Sequence, residues 1–387
     1  MCIGGAACTG AHFAVAFRCP VSGHGAFLAW QSGTDLEPHF DPTMNHPIRL
    51  FPIAVLLSCL ASAHAAEPTT VQAKTYHRTF SAAHPVLKRI RPGELIATKT
   101  IDSGGRDEKG EQRSEGGNPL TGPFYVEGAE AGDALLVHFK QVRINRAWGT
   151  TSARLGMFAL TPESIASLHP MYTPNYIPDK VTPGRANRLK WDVDLERGVV
   201  RMSDPKSAVA KLEFPIQPML GCVGVAPAGD FAPTSVPSGS YGGNLDYNRI
   251  GEGAVVMLPV YHPGALLFIG DGHALQGDGE PTGNGVEISM DVQFTTTLKK
   301  AANLTGPRVE TADYIISVGS QPEFVSSLDR SIKLATSDMS TWLIDEYKME
   351  PWAAHMLIGF QGKYDVITIA GSMGLRIPKK HLPPRPR

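Results

Sequence analysis

Cysteine is scarce along most of this 387-residue sequence: Cys2, Cys8, Cys19 and Cys59 fall within the first sixty positions, and beyond them only Cys222 remains. A lone cysteine closes no internal disulfide, so the fold must rest on a packed core, which a chain of this length can bury. Charge is also sparse, at 19% of residues with a net charge of -1, and Lys and Arg form no stripe. Nucleic acid is therefore not an expected partner. A Gly-x-Gly-x-x-Gly between strand and helix is missing, which argues against a nucleotide cofactor. The Gly-x-Ser-x-Gly elbow and a glycine-framed Ser-Ser-Lys arrangement are missing too, and with them the landmarks of serine amidases. What the chain does have is 40 Gly and 31 Pro. That composition predicts a turn-rich β architecture rather than a helical bundle.

Residues 44–65 have the form of a secretory signal peptide: Arg49 ahead of an apolar core from Leu50 to Leu60, then Ala63-His64-Ala65 as a cleavage site. The core is too short for a stable membrane span. The expectation is export to the periplasm or medium, with residues 1–43 a non-native upstream extension and Met44 the initiator. Cys59, in a loose lipoprotein-type box, leaves a lipid-anchored form open.

Short β-type runs bounded by turns recur through residues 66–306. They cover 70–80, 94–100, 122–128, 134–141, 188–195, 199–202, 210–214, 255–261 and 287–297, with an apolar run at 265–269. Between 145 and 190 the pattern lapses into a long covering loop with a short helix at 162–168. The fold class predicted is mainly β, a sandwich or barrel-like body. Residues 307–387 differ: three- and four-residue spacing of Leu328, Ile332, Ala335, Met339, Trp342 and Leu343 predicts a helix over 327–349. Pro351 opens a second helix and 365–370 reads as strand, so a small C-terminal α+β substructure is expected on the β-rich catalytic body.

The candidate site is the stretch Gly270 to Gly285, where six glycines surround Asp271, His273, Asp278 and Glu280. A glycine-dense loop carrying carboxylates and an imidazole suits a cation or a small polar ligand. A second turn, Tyr241 to Asp246, puts Asn244 and Asp246 on one face of an extended chain, and the two turns are expected to meet at one end of a sheet. Asp102 ends an earlier strand and is a further ligand candidate. The bland reading stands beside each: Asp271 and Asp278 in Gly-Asp-Gly, and Asn244 and Asp246, as plain turn residues, and Cys222 as a buried apolar one. Oxygen donors with one imidazole fit a catalytic divalent ion, zinc foremost. The metal set expected is Asp102, Asp246 and His273, with Glu280 and Asp278 catalytic and Asn244 and Gln276 holding the substrate amide.

The chain resembles the acetamidase/formamidase family. The resemblance rests on Asn118 to Pro123 with Val126 to Asp133, Pro218 to Gly221 with Gly224 to Pro227, Gly242 to Asp246, and Leu258 through Glu280. It implies a β-rich hydrolase of the carbon–nitrogen bond of a short linear amide, releasing ammonia, with a divalent metal and a homo-oligomer. Carried over by residue it points to Asn244, Asp246, His273, Asp278 and Glu280. This chain has Gln217 where members often have His, and its export signal is unusual for enzymes that handle cytoplasmic formamide. The alternative reading is a non-catalytic exported β-sandwich protein that binds a metal or polar ligand. A hydrolase of cyclic amides or esters on the same scaffold is a third.

Overall fold

The computed structural model describes residues 67–152, 155–167, 188–203, 211–320 and 327–386. The expected extension, the signal peptide with Cys59, and the middle of the covering loop lie outside these residues. Strand Ala134–Ile144 shows how the sequence makes sheet: Leu135, Val137 and Phe139 are buried while Lys140 and Arg143 face out. The alternation changes phase where its pairing with Met290–Lys299 slips between Gln293 and Phe294, a bulge that returns Val142 and Ile144 to the core.

Among the described residues the strands form two sheets. The first has nine strands, in the spatial order Thr69–Val71, Ile96–Thr100, Met290–Lys299, Ala134–Ile144, Val255–Pro259, Arg308–Glu310, Tyr314–Ser320, Ser372–Pro378 and Lys363–Thr368. The second has eleven. Its centre is Met219–Val225 flanked by Gly242–Asn244 and Leu267–His273, the last pairing onward with Glu287–Ile288 and Leu120–Val126. Phe124, Leu220 and Ile269 from the second sheet share one core with Val137, Val292 and Phe294 from the first. The rings of Phe124 and Phe294 meet edge to face at 5.3 Å. The body is thus a sandwich, mainly β as predicted.

Helix α1 (Pro162–Ser167) is short, whereas α2 (Leu328–Tyr347) lays Ala335, Met339, Trp342 and Leu343 on Ile315, Leu375 and Ile377 of the first sheet. Ser327 caps α2, accepting from the Arg330 N–H, and Lys348 ends it in the left-handed region. Pro351 opens α3 (Pro351–Gln361). The strands beyond residue 307 pair into the first sheet through Val255–Pro259, so the α+β part continues the body's own sheet.

Two local readings change. The expected strand 287–297 is two strands broken at Ser289: Glu287 pairs with His273 in the second sheet, and Met290 pairs with Thr100 in the first. The buried Ser289 hydroxyl donates to Asn145 Oδ1 at 2.6 Å and holds this crossing. The apolar run 265–269 also extends further, since Leu267–His273 carries Asp271 and His273 within a strand rather than in a loop.

Candidate active site

Four neighbouring strand ends bring the site together. Leu245 and Asp246 both donate their backbone N–H to the Gly221 carbonyl, at 2.8 and 3.1 Å, which folds Asp246 over that glycine. Met219–Val225 therefore lies between Asp246 and the strand bearing Asp271 and His273, and the two turns meet across an intervening strand. A Cβ on Gly221 would collide with Asp246 and would stand 2.9 Å from Asp271 Oδ2, so only glycine lets these carboxylates approach. Glu287 enters from the other side in register with His273. Glu280 comes from the following loop, whose Gly279 is tied to Val366 and Ile369 by backbone hydrogen bonds of 2.8 and 2.9 Å.

Potential ligand atoms of Asp246, His273 and Glu280 lie within 4.8 Å of one another, and so do those of Asp271, His273 and Glu287. His273 Nε2 is 3.3 Å from Glu287 Oε1 and 3.6 Å from Asp271 Oδ1. Asp246 Oδ1, Asp271 Oδ1, Glu287 Oε2 and His273 Nε2 are all buried without a hydrogen-bond partner. Asp246, Asp271 and Glu280 also stand on left-handed backbone, at φ 47, 56 and 46°. Non-glycine residues hold that region at a cost of about 1–3 kcal/mol each, and such strain concentrates at functional sites.

The tautomer follows from the neighbours. The Gln276 amide nitrogen donates to the Asp246 carbonyl at 2.6 Å, so its Oε1 must face His273 Nδ1, 2.7 Å away, and accept from it. A neutral His273 then points the Nε2 lone pair at carboxylate oxygens, an arrangement that needs a proton or a cation between them. Burial pushes the Asp246 carboxyl well above its ordinary range, that of Asp271 up to about 6 and that of Glu280 up to about 8. Burial would raise Glu287 as well, but the imidazole, the Ser103 hydroxyl and Arg188 together draw that carboxyl down to about 2. Burial alone would lower His273, yet Glu287 and Asp271 hold its pKa well up. Even a protonated imidazole leaves an excess of buried negative charge that a divalent cation would neutralise.

Asp246, His273 and Glu280 thus meet as the sequence suggested, while three other candidates are engaged otherwise. Asp102 is buried but already balanced, accepting from Arg146 Nη2 at 2.7 Å and from the Arg106 amide at 2.8 Å. Asp278 is exposed and accepts from Asn248 at 2.7 Å. Gln276 is taken up by His273 and the backbone, beneath the site rather than facing substrate. Asn244 does line the cavity: its Oδ1 accepts from Asn118 at 3.2 Å and from Cys222 Sγ at 2.9 Å, and its amide donates to Asp246. Asp271, Glu287 and Asn118, which donates to Asp271 at 2.9 Å, join the centre without having been predicted in these roles. The centre opens on a cavity of ≈ 590 Å³.

Residues 225–328, which contain every ionisable residue of this centre, match the model of the Acetamidase/Formamidase family. Over those residues the chain is similar to that family. The formamidase of Methylophilus methylotrophus is 28% identical over 247 residues, 53% of this chain and 59% of that protein. The acetamidase of Mycolicibacterium smegmatis is 26% identical over 54% of this chain and 62% of its own length. The chain therefore spans about three-fifths of the length of the curated relatives it matches. Among solved structures, an acetamidase from Yersinia enterocolitica superposes with a TM-score of 0.68 at 26% identity, over 83% of this chain and 95% of that one. One from Bacillus halodurans gives 0.65 at 26% identity, over 81% and 98%.

Proposed function

We propose that this chain is an amidase that hydrolyses the carbon–nitrogen bond of linear primary amides, releasing ammonia and a carboxylate. The observation that carries the reading is the pair of triads that share His273, one with Asp246 and Glu280 and one with Asp271 and Glu287, in which Asp246, Asp271, His273 and Glu287 each keep a buried donor atom unpaired. Mixed carboxylate and imidazole donors suit a divalent ion, zinc foremost, which His273 would hold together with carboxylates of these triads. When bound, the ion supplies a positive charge that polarises a carbonyl and acidifies a water.

The chain's own residues do the rest. Glu280 lies at the cavity wall, where burial raises its carboxyl to about 8, which suits it to carry a proton between water and the leaving nitrogen. It takes a proton from the attacking water and then gives it to the amide nitrogen as the carbon–nitrogen bond breaks, which returns the carboxylate for the next turnover. Asn118 and Asn244 fix the carboxylates and present amide groups to the substrate. Acetamidase and formamidase relatives support the reaction type.

Export through residues 44–65 is part of the proposal, on the strength of that segment's composition. So is self-association: on α3, Trp352, Met356 and Phe360 are 69%, 47% and 76% exposed at four-residue spacing, on a helix without Asp, Glu, Lys or Arg. Such a neutral face meets a copy of itself without charge repulsion. The deciding experiment is elemental analysis of the purified protein with an ammonia-release screen over primary amides. Stoichiometric zinc and a chelator-sensitive activity lost in Glu280→Gln are expected. Metal-free protein with full activity, or no ammonia from any amide, would overturn the reading.

A further inference from the structure

The cavity over the centre is far larger than a small amide requires. Four heavy atoms, as in acetamide, occupy on the order of 100 Å³ when a water's share of liquid is about 30 Å³, against the ≈ 590 Å³ available. A space of that size ordinarily takes a ligand with a substantial apolar part. Its walls divide accordingly. The carboxylates and asparagines form the floor, Ser238, Ser320 and Thr368 a polar waist, and Phe158, Val236, Pro237 and Ala370 the outer wall. Among the described residues, no Lys, Arg or His lines it.

The two large apolar residues of the outer wall are exposed yet held in place. Phe158 is 47% and Val236 58% exposed. Val236 lies between Ser235, whose hydroxyl donates to the Gly117 carbonyl at 2.7 Å, and Pro237, whose carbonyl accepts from the Asn244 N–H at 3.3 Å. The turn bearing Phe158 is tied by the Gly156 N–H to the Pro281 carbonyl at 2.6 Å, next to Glu280. The segments that carry both residues are thus tied to those that carry Asn244 and Glu280, and both side chains gain if a ligand covers them.

Resting on the amidase reading, we propose that the substrate is a primary amide with an uncharged, apolar acyl chain or ring, and that Phe158 and Val236 select it. The carboxylates that line the cavity, with no cationic side chain among its described lining residues, disfavour an acyl group ending in an anion. Each buried methylene is worth about 0.8 kcal/mol, a factor of about four in binding.

The test compares acetamide, hexanamide, phenylacetamide and adipamate, the anionic counterpart of hexanamide. kcat/KM for hexanamide and phenylacetamide should exceed that for acetamide by about tenfold or more, with adipamate below hexanamide by at least as much. Phe158→Ala and Val236→Ser, both at exposed positions, should each lower the hexanamide-to-acetamide ratio about threefold to tenfold. Acetamide as the best substrate, or an unchanged ratio in both variants, would overturn the inference. If no amide is hydrolysed, the amidase reading fails by itself, and calorimetric binding of the same compounds decides this one: hexanamide bound more tightly than acetamide and adipamate, and weakened by Phe158→Ala, supports it, whereas equal or absent binding overturns it.

Discussion

Gln276 Oε1 accepts a hydrogen bond from His273 Nδ1 at 2.7 Å, and the same side chain donates to the Asp246 carbonyl at 2.6 Å. One amide thus sets the imidazole tautomer and ties it to the strand end that bears Asp246. Partners of this kind typically contribute 10- to 100-fold in metal affinity. Gln276→Ala should weaken zinc binding by about that factor, as read by competition with a chromophoric chelator, while the circular dichroism spectrum stays that of the parent. Unchanged affinity would show that His273 is oriented by other contacts.

Gly221 tests the close approach of Asp246 and Asp271. In Gly221→Ala the new methyl displaces one carboxylate or the strand beneath it. The expected outcome is a loss of metal and of activity by about 100-fold, with destabilisation of about 1–3 kcal/mol in urea melts. A fully active variant would mean that the two carboxylates need not converge.

Crowding of buried carboxylates should cost the protein stability when no cation is bound. In chelator-treated protein, Asp271→Asn removes one charge from the centre and should stabilise by about 1–3 kcal/mol, while in zinc-loaded protein it should destabilise. Thermal melts in both states read the sign. The same sign in both would argue against an ion at this position.

Acid sensitivity has a separate origin. Burial alone would raise the Asp133 carboxyl, but Lys300 and the amides of Glu130 and Ala301 hold it below the usual carboxylate range. A carboxyl depressed in the folded state contributes stability that is complete above the unfolded value and is lost as pH falls through the folded one. Urea melts should therefore show part of the stability disappearing below about pH 4, and a shallower loss in Asp133→Asn.

Self-association through α3 predicts that Trp352→Glu with Phe360→Lys lowers the sedimenting mass to that of one chain and leaves secondary structure unchanged. Equal mass before and after would place any interface elsewhere.

The strands of the body were legible because each is short, apolar on one face and bounded by turns; 199–202 and the start of 134–144 are read directly from the sequence. α2 was legible from its spacing. Glu287 was not, because Ile288, Met290, Val292 and Phe294 alternate as one strand and turn Glu287 to solvent, whereas the chain changes sheets at Ser289 and buries it. Asp271 resembles a turn aspartate because glycines flank it, yet the strand runs through those glycines and Asp271 takes left-handed backbone inside it. Asp102 was chosen for its type and place. Only the fold shows that Arg146, 44 residues on, already neutralises it.

Glu280 sits in a loop whose backbone is tied to Val366 in strand Lys363–Thr368 and to Ile369 in the turn that follows it. A protease cutting between α3 and residue 372 would leave every acid and the imidazole covalently in place and still free the loop that aims Glu280. The aim of Glu280 thus draws on a segment that lies beyond residues 225–328, the part of the chain that matches the family model.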